Sequence, residues 1–153
     1  MALADHFGRV LQQKATQGPP KSFQFNENTP IRYFLREMNQ MASILKMTNT
    51  LFDTPHGMMN SINVSTAHEM CLLAHHCLQN EMFLEIVGTE RYTCKGQLGR
   101  TYQWVNTNKL LGGDSEEGIP RFEGTIGCKT GVTSTAGPCF AGAFKRKMLE
   151  LPG

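Results

Sequence analysis

The first half of the chain carries apolar residues at helical spacing. Along residues 2–13 they lie near one helical face: Ala2, Leu3, Phe7, Val10 and Leu11. A second helix is predicted over residues 31–46, because an apolar stripe follows Thr29 and Pro30, a hydroxyl N-cap and a proline at the first helical position. Between the two helices, residues 15–30 are rich in Gly, Pro, Asn and Gln, which predicts a loop or an insertion.

Two more helices are predicted after a loop over residues 51–63, which Pro, Gly and Asn interrupt. Ser65 and Thr66, followed by Glu69, form a capping-box pattern that starts a helix reaching to about residue 79. The residues predicted to be buried on this helix are Met70, Leu73, Ala74, Cys77 and Leu78. A shorter helix over residues 81–87 ends at Gly88.

The pattern changes to strand-like alternation in the second half of the chain. The predicted strands are residues 91–95, 100–105, 124–129 and 139–147. The first two strands form a hairpin through residues 96–99, a polar loop covers residues 112–122, and the last two strands flank a turn at residues 131–138. Helices followed by antiparallel strands predict an α+β fold.

Composition and charge narrow the classes of function. The chain has 153 residues, of which 40% are hydrophobic and 18% charged, as expected for about one globular domain. The net charge of +2 is too balanced to predict binding to nucleic acid or to an anionic membrane surface. No apolar run reaches the length of a membrane span, and the first residues lack an apolar signal core, so the sequence assigns no compartment.

The five cysteines show no CxxC spacing, which excludes a zinc ribbon or a thioredoxin-like motif. We expect reduced, mostly buried thiols. His68, Cys71 and His75 follow the spacing i, i+3, i+7 on one predicted helix, where they could share a face. Two or three such side chains on a surface helix more often bind nothing than a metal ion, so neither a metal nor another cofactor is expected.

The string Lys129-Thr130-Gly131 carries the clearest chemistry. A lysine ammonium and a threonine hydroxyl on a rigid strand can bind the carboxylate of a substrate. The glycine has no side chain, so a peptide backbone can approach the edge of the strand. Penicillin-binding proteins and related β-lactamases use KTG together with an SxxK and an SxN element.

Two strings in the chain fit SxxK and SxN, and we interpret both as chance matches. Ser43 and Lys46 fit SxxK, but Ser43 lies near the end of its predicted helix, whereas helix dipoles favour an anion at a helix start. Ser61 and Asn63 fit SxN, but they follow on a loop only 18 residues later.

Beyond KTG, six strings carry a wider resemblance: MALADHFG (1–8), MNQMASILKMTNTLF (38–52), HG (56–57), STAHEMCLLA (65–74), NTNKLL (106–111) and GCKTGVTSTAG (127–137). With them the chain resembles the serine-type D-alanyl-D-alanine carboxypeptidases, the low-molecular-mass penicillin-binding proteins. The strings occur in the order typical of that family and are distributed between residues 1 and 137, over nearly all of the chain. The resemblance implies a penicillin-binding, β-lactamase-like fold, with helices followed by the antiparallel strands that carry KTG.

The same resemblance implies that residues 1–153 correspond to the downstream half of the family's catalytic domain, with a loop insertion at residues 15–30. In the family a string like ALADHFG directly follows SxN, so we expect the nucleophilic serine to be absent from this chain. Half a domain would leave apolar faces uncovered. The side chains then expected to be unusually exposed are Leu3, Phe7, Leu11, Phe140 and Phe144.

In the family, a serine attacks the bond between two terminal D-alanines and forms an acyl-enzyme, which penicillin traps. The resemblance assigns no catalytic residue here but implies a substrate-binding set. Lys129 would attract the terminal carboxylate, Thr130 would hydrogen-bond it, Gly131 would admit the peptide, and the Val132 N–H would serve as an oxyanion donor.

The expected partner is a peptide ending in D-Ala-D-Ala, or a β-lactam, once the upstream half completes the site. Two alternatives stay open: a non-catalytic binding remnant of this fold, and a full enzyme that uses Ser43 or Ser61.

Overall fold

Helices and two β-hairpins make up the described part of the chain, which covers residues 1–16, 29–114 and 116–145 in a computed structural model. The elements are α1 (Ala2–Thr16), α2 (Pro30–Ile44), α3 (Ala67–Cys77), α4 (Glu81–Gly88), β1 (Arg91–Lys95), β2 (Thr101–Val105), α5 (Lys109–Gly112), β3 (Thr125–Thr133) and β4 (Gly137–Phe144). The predicted α+β order is confirmed, although the short helix α5 was not predicted. The predicted insertion at residues 15–30 lies mostly outside the described residues, and its first two residues belong to α1.

The chain divides into two units, residues 1–73 and 74–153. In the first unit α1 packs on α2, and the buried apolar side chains are Ala4, Leu35, Ala42 and Met47. Gly8 permits this packing, because a Cβ there would lie 1.7 Å from the carbonyl oxygen of Pro30. The helices therefore meet through backbone at the point where α2 begins.

Glu69 links the start of α3 to the segment before it. Its carboxylate is buried and accepts hydrogen bonds from the Asn49 backbone N–H (2.8 Å), the Asn49 amide (3.0 Å) and the Thr50 hydroxyl (2.5 Å). Thr66 Oγ1 caps the helix by accepting from the Glu69 N–H. The predicted capping box is therefore half right: the threonine caps, but the glutamate points to tertiary donors.

Burial on α3 also differs from the prediction. Met70 is exposed, and the other four predicted core residues are only half-buried. Within the described part of α3 the fully buried side chain is Glu69, whose three donors replace the water it loses.

The second unit contains two separate antiparallel hairpins, β1–β2 and β3–β4. The first pair matches the predicted strands, with Tyr92 opposite Trp104. The second pair is longer than predicted at the turn: Gly131–Thr133 were expected to lie in the turn but continue β3, because Val132 and Thr133 pair with Pro138 and Gly137. Helix α4 packs against β3.

Several large apolar side chains are exposed, as expected from the sequence. Leu3 is 73% exposed, Phe7 and Phe140 are 51% exposed and Phe144 is 45% exposed, whereas Leu11 is half-buried. All five cysteines are free. Their predicted burial is wrong, because Cys71 and Cys139 are exposed and the other three are half-buried.

We predict that Glu69 makes the stability of the first unit depend on pH. Burial opposes ionisation of this carboxyl, but the hydrogen bonds from Thr50 and Asn49 together outweigh it and lower the pKa of Glu69 below 4.5. A lowered folded-state pKa adds stability above the unfolded value, and this stability disappears as the pH falls through the folded value.

The test is thermal unfolding, followed by circular dichroism, between pH 3 and pH 7. Glu69→Gln should lower Tm by several degrees at pH 7, where the donors of Asn49 and Thr50 lose their anionic acceptor. The difference in Tm between Glu69→Gln and wild type should vanish at the acid end of this pH range. The exposed Glu123→Gln serves as the control, and an equal Tm difference for Glu69→Gln at both ends of the range would contradict the prediction.

Candidate functional site

Strand β3 places Lys129, Thr130 and Gly131 in its middle, opposite Ala141, Phe140 and Cys139 of β4. Within the described residues β3 pairs with β4 alone, so its second edge has unpaired backbone groups. Such an edge can accept an extended peptide as an additional strand.

The start of β3 is distorted next to the site. The pairing register shifts between Thr125 and Gly127, and Gly127 and Cys128 have φ values of 129° and 113°. A Cβ on Gly127 would lie 2.2 Å from the carbonyl oxygen of Val87, at the end of α4. Helix α4 therefore anchors β3 through direct backbone contact immediately before Lys129, and the bulge sets the direction of the strand there.

Lys129 is exposed and has no ion-pair partner among the residues that the structure describes. Lys129 and Gly131 share a face of β3, because alternate strand residues point to the same side. The Lys129 ammonium lies 3.8 Å from the position that a Cβ of residue 131 would occupy. The positive charge thus lies beside a strand position that has no side chain, where an anionic group has room to bind.

Thr130 contacts a residue to which the sequence assigned no role. The hydroxyls of Thr130 and Thr107 lie 2.5 Å apart, within hydrogen-bond distance. Thr107 belongs to the NTN string. The sequence feature that could have pointed to it is the pair of flanking asparagines, because asparagine commonly caps turns and helices. The fourth predicted site residue, Val132, is 76% exposed on β3.

The serines of the strings that fit SxxK and SxN both belong to the first unit. Ser43 is the second-last residue of α2 and is exposed, at the helix end where the dipole disfavours an anion. Ser61 is exposed in the loop before α3. The Asn63 side chain accepts from the backbone N–H groups of Asp53 and Thr54 and donates to the Thr54 hydroxyl and the Met58 carbonyl, so its polar atoms bind its own loop.

In the described ranges, no three His, Cys, Asp or Glu side chains are arranged to hold a metal ion, and this includes His68, Cys71 and His75. Across the same ranges no helix has the length and apolar character needed to cross a membrane.

Two clefts of the second unit are lined by described residues. One, of about 510 Å³, lies between α4 and the first hairpin, where Tyr92 and Trp104 line it. The other, of about 320 Å³, is lined by the residues around Thr107, including Lys109 and Asp114. The KTG residues line neither cleft, so they present their groups along the strand edge.

Comparison with known proteins identifies related sequences. The family profile described as D-alanyl-D-alanine carboxypeptidase matches residues 30–151. The chain is 31% identical over 150 residues to the D-alanyl-D-alanine carboxypeptidase of Streptomyces sp. (strain K15), which covers 95% of this chain and 44% of that protein. It is 29% identical over 113 residues to the D-alanyl-D-alanine carboxypeptidase DacF of Bacillus subtilis (strain 168), covering 74% of this chain and 27% of that protein. The chain therefore spans less than half the length of these relatives.

Solved structures give the same relationship. The fold is similar to the crystal structure of the Streptomyces K15 DD-transpeptidase, with a TM-score of 0.66 and 29% identity over 90% of this chain and 50% of that one. It is also similar to D-alanyl-D-alanine carboxypeptidase from Mycobacterium tuberculosis H37Rv, with a TM-score of 0.62 and 29% identity over 75% of this chain and 41% of that one. The fold class and the resemblance stated from the sequence are confirmed.

We predict that Gly127→Ala strongly destabilises the second unit. The variant combines a positive φ with a steric clash against the Val87 carbonyl, and together these should lower the free energy of unfolding by about 3 kcal/mol or more. Gly99→Ala is the matched control, because Gly99 has a φ of 74° but open space around it, and should cost about 1 kcal/mol.

Urea unfolding followed by the fluorescence of Trp104, the single tryptophan, measures both variants. An equal decrease in the free energy of unfolding for Gly127→Ala and Gly99→Ala would show that the contact between α4 and β3 is not required for stability.

Proposed function

The chain belongs to the D-alanyl-D-alanine carboxypeptidase family, and we propose that it supplies the carboxylate-binding side of a serine-type peptidase site for peptides that end in D-Ala-D-Ala. The observation that carries the proposal is the exposed Lys129 beside Thr130 on β3: among residues 1–16, 29–114 and 116–145, Lys129 has no ion-pair partner and β3 pairs on one edge only. Both groups can bind the terminal carboxylate, which is the feature that distinguishes a peptide end from an internal peptide segment.

Each proposed residue has a separate physical role. Lys129 attracts the carboxylate by charge, and Thr130 donates a hydrogen bond that also fixes its direction. Gly131 leaves space for the peptide backbone along β3. The Val132 N–H would stabilise the negative oxygen that develops when a serine attacks the peptide carbonyl.

We further propose that none of the serines of this chain is the nucleophile, and that the chain corresponds to the downstream half of the family's catalytic domain. Ser43 is at the wrong end of its helix for activation, and the side chain of Asn63 is occupied within its own loop. The chain alone should then bind a carboxylate without forming an acyl-enzyme, because acylation requires a nucleophile with a base beside it.

We predict that this chain forms no covalent adduct with a fluorescent penicillin. Denaturing gel electrophoresis and intact-mass analysis would measure labelling, with a full-length family member treated in parallel as the positive control. The unmodified mass is the expected result. An adduct mapped to Ser43, Ser61 or any other serine would contradict the proposal and identify this chain as a self-sufficient enzyme.

We predict weak, reversible binding of N-acetyl-D-Ala-D-Ala, measured by shifts of backbone NMR signals along β3. One charge-assisted contact contributes roughly 1.5–3 kcal/mol, which corresponds to a Kd above about 1 mM. Lys129→Met should weaken binding by about tenfold or more, and added salt should weaken it for the wild type because exposed charges are screened.

Two controls make this measurement specific. Lys95→Met removes an exposed lysine from another strand of the same unit and should leave Kd unchanged. The C-terminal amide of the same peptide lacks the carboxylate and should not shift the β3 signals. Equal binding by Lys129→Met and wild type, or by the acid and the amide, would contradict the proposed role of Lys129.

A further inference from the structure

Thr107 is held rigidly against the KTG strand by its two neighbours. The Asn106 amide donates to the carbonyl oxygens of Val87 (3.2 Å) and Thr89 (3.0 Å), and the Asn106 backbone N–H donates to the carbonyl of Glu90 (2.8 Å). These bonds attach the turn to the end of α4 and to the residues that lead into β1.

Asn108 holds the other side of the same turn. Its backbone N–H donates to Asn106 Oδ1 at 2.9 Å, and its own Oδ1 accepts from the Leu110 N–H as the N-cap of α5. Asn108 is buried, with only 4% of its surface exposed, whereas Thr107 between the two asparagines is exposed. The turn is therefore fixed on both sides, and the hydroxyl at its tip stays accessible.

Hydrogen-bond direction connects this turn to ligand binding. Each threonine hydroxyl has one proton and can also accept, so either Thr107 donates to Thr130 or the reverse. A carboxylate only accepts hydrogen bonds. When Thr130 donates its proton to a bound carboxylate, Thr107 must supply the proton of the bond between the two hydroxyls.

We propose that Thr107 is a positioning residue that holds the Thr130 side chain in one rotamer and donates to its oxygen, so that the Thr130 proton points to the bound carboxylate. This inference rests on the proposed function and deepens it. Its physical basis is preorganisation: a hydroxyl that is already oriented loses less freedom when the ligand binds.

The substitutions Thr107→Val and Thr107→Ser distinguish the effect of the Thr107 hydroxyl from the effect of its side-chain shape. Valine has nearly the shape of threonine without the hydroxyl, and serine keeps the hydroxyl. Three-bond NMR couplings report the χ1 rotamer of Thr130 without any ligand. Wild type and Thr107→Ser should show one Thr130 rotamer, and Thr107→Val should show averaging. Thr101→Val, at an exposed position on β2, is the control.

The second measurement is the Kd of N-acetyl-D-Ala-D-Ala from NMR titration. Thr107→Val should weaken binding by about three- to tenfold, which is the net effect of one neutral hydrogen bond, while Thr107→Ser and Thr101→Val stay near wild type. The loss in Thr107→Val should persist in high salt, because the removed group carries no charge.

The outcomes distinguish this inference from the proposed function. A single Thr130 rotamer in Thr107→Val overturns the positioning role, and so does rotamer averaging with an unchanged Kd. If the wild type binds no peptide, or binds it independently of Lys129, the proposed function fails, and the Thr130 couplings still decide whether Thr107 holds that side chain.

Discussion

The carbonyl oxygen of Val87, at the end of α4, determines where the residues of the candidate site lie. It is the atom that a Cβ on Gly127 would contact at 2.2 Å, so only a glycine lets β3 approach it. It also accepts the amide hydrogen bond of Asn106 at 3.2 Å. One backbone group therefore fixes both the strand that carries Thr130 and the turn that carries Thr107. The contact between the two hydroxyls depends on this shared anchor.

Ion pairing distinguishes Lys129, the proposed carboxylate-binding residue, from Lys109 of the same unit. Lys109, on α5, forms ion pairs with Glu117 and Asp114, and these hydrogen bonds raise the pKa of the Lys109 ammonium. Asp114 in turn has a lowered pKa, because Lys109 and the backbone N–H groups of Glu117 and Glu116 donate to it. The acidic groups of this loop thus pair with Lys109, whereas Lys129 has no ion-pair partner in the part of the chain that the structure describes.

Local patterns predicted most elements because helices and hairpins arise from interactions between residues close in the chain. The apolar periodicity located α1 to α4, and the alternation located β1 and β2 within one residue. Predictions failed where distant groups competed with local ones. The carboxylate of Glu69 matches a capping box, but the donors of Asn49 and Thr50, about 20 residues earlier, bind it instead.

The sequence by itself determined the order of most elements, the succession of a lysine, a threonine and a glycine where a predicted strand meets a predicted turn, and the likeness to the carboxypeptidase family. It did not determine the partner of Thr130, because strand periodicity specifies which face a side chain occupies and not which residue 23 positions away meets it. For Ser43, the helical periodicity already predicted a position near the end of α2. The tertiary structure decided that its side chain is exposed there, because burial depends on which elements pack against that helix end.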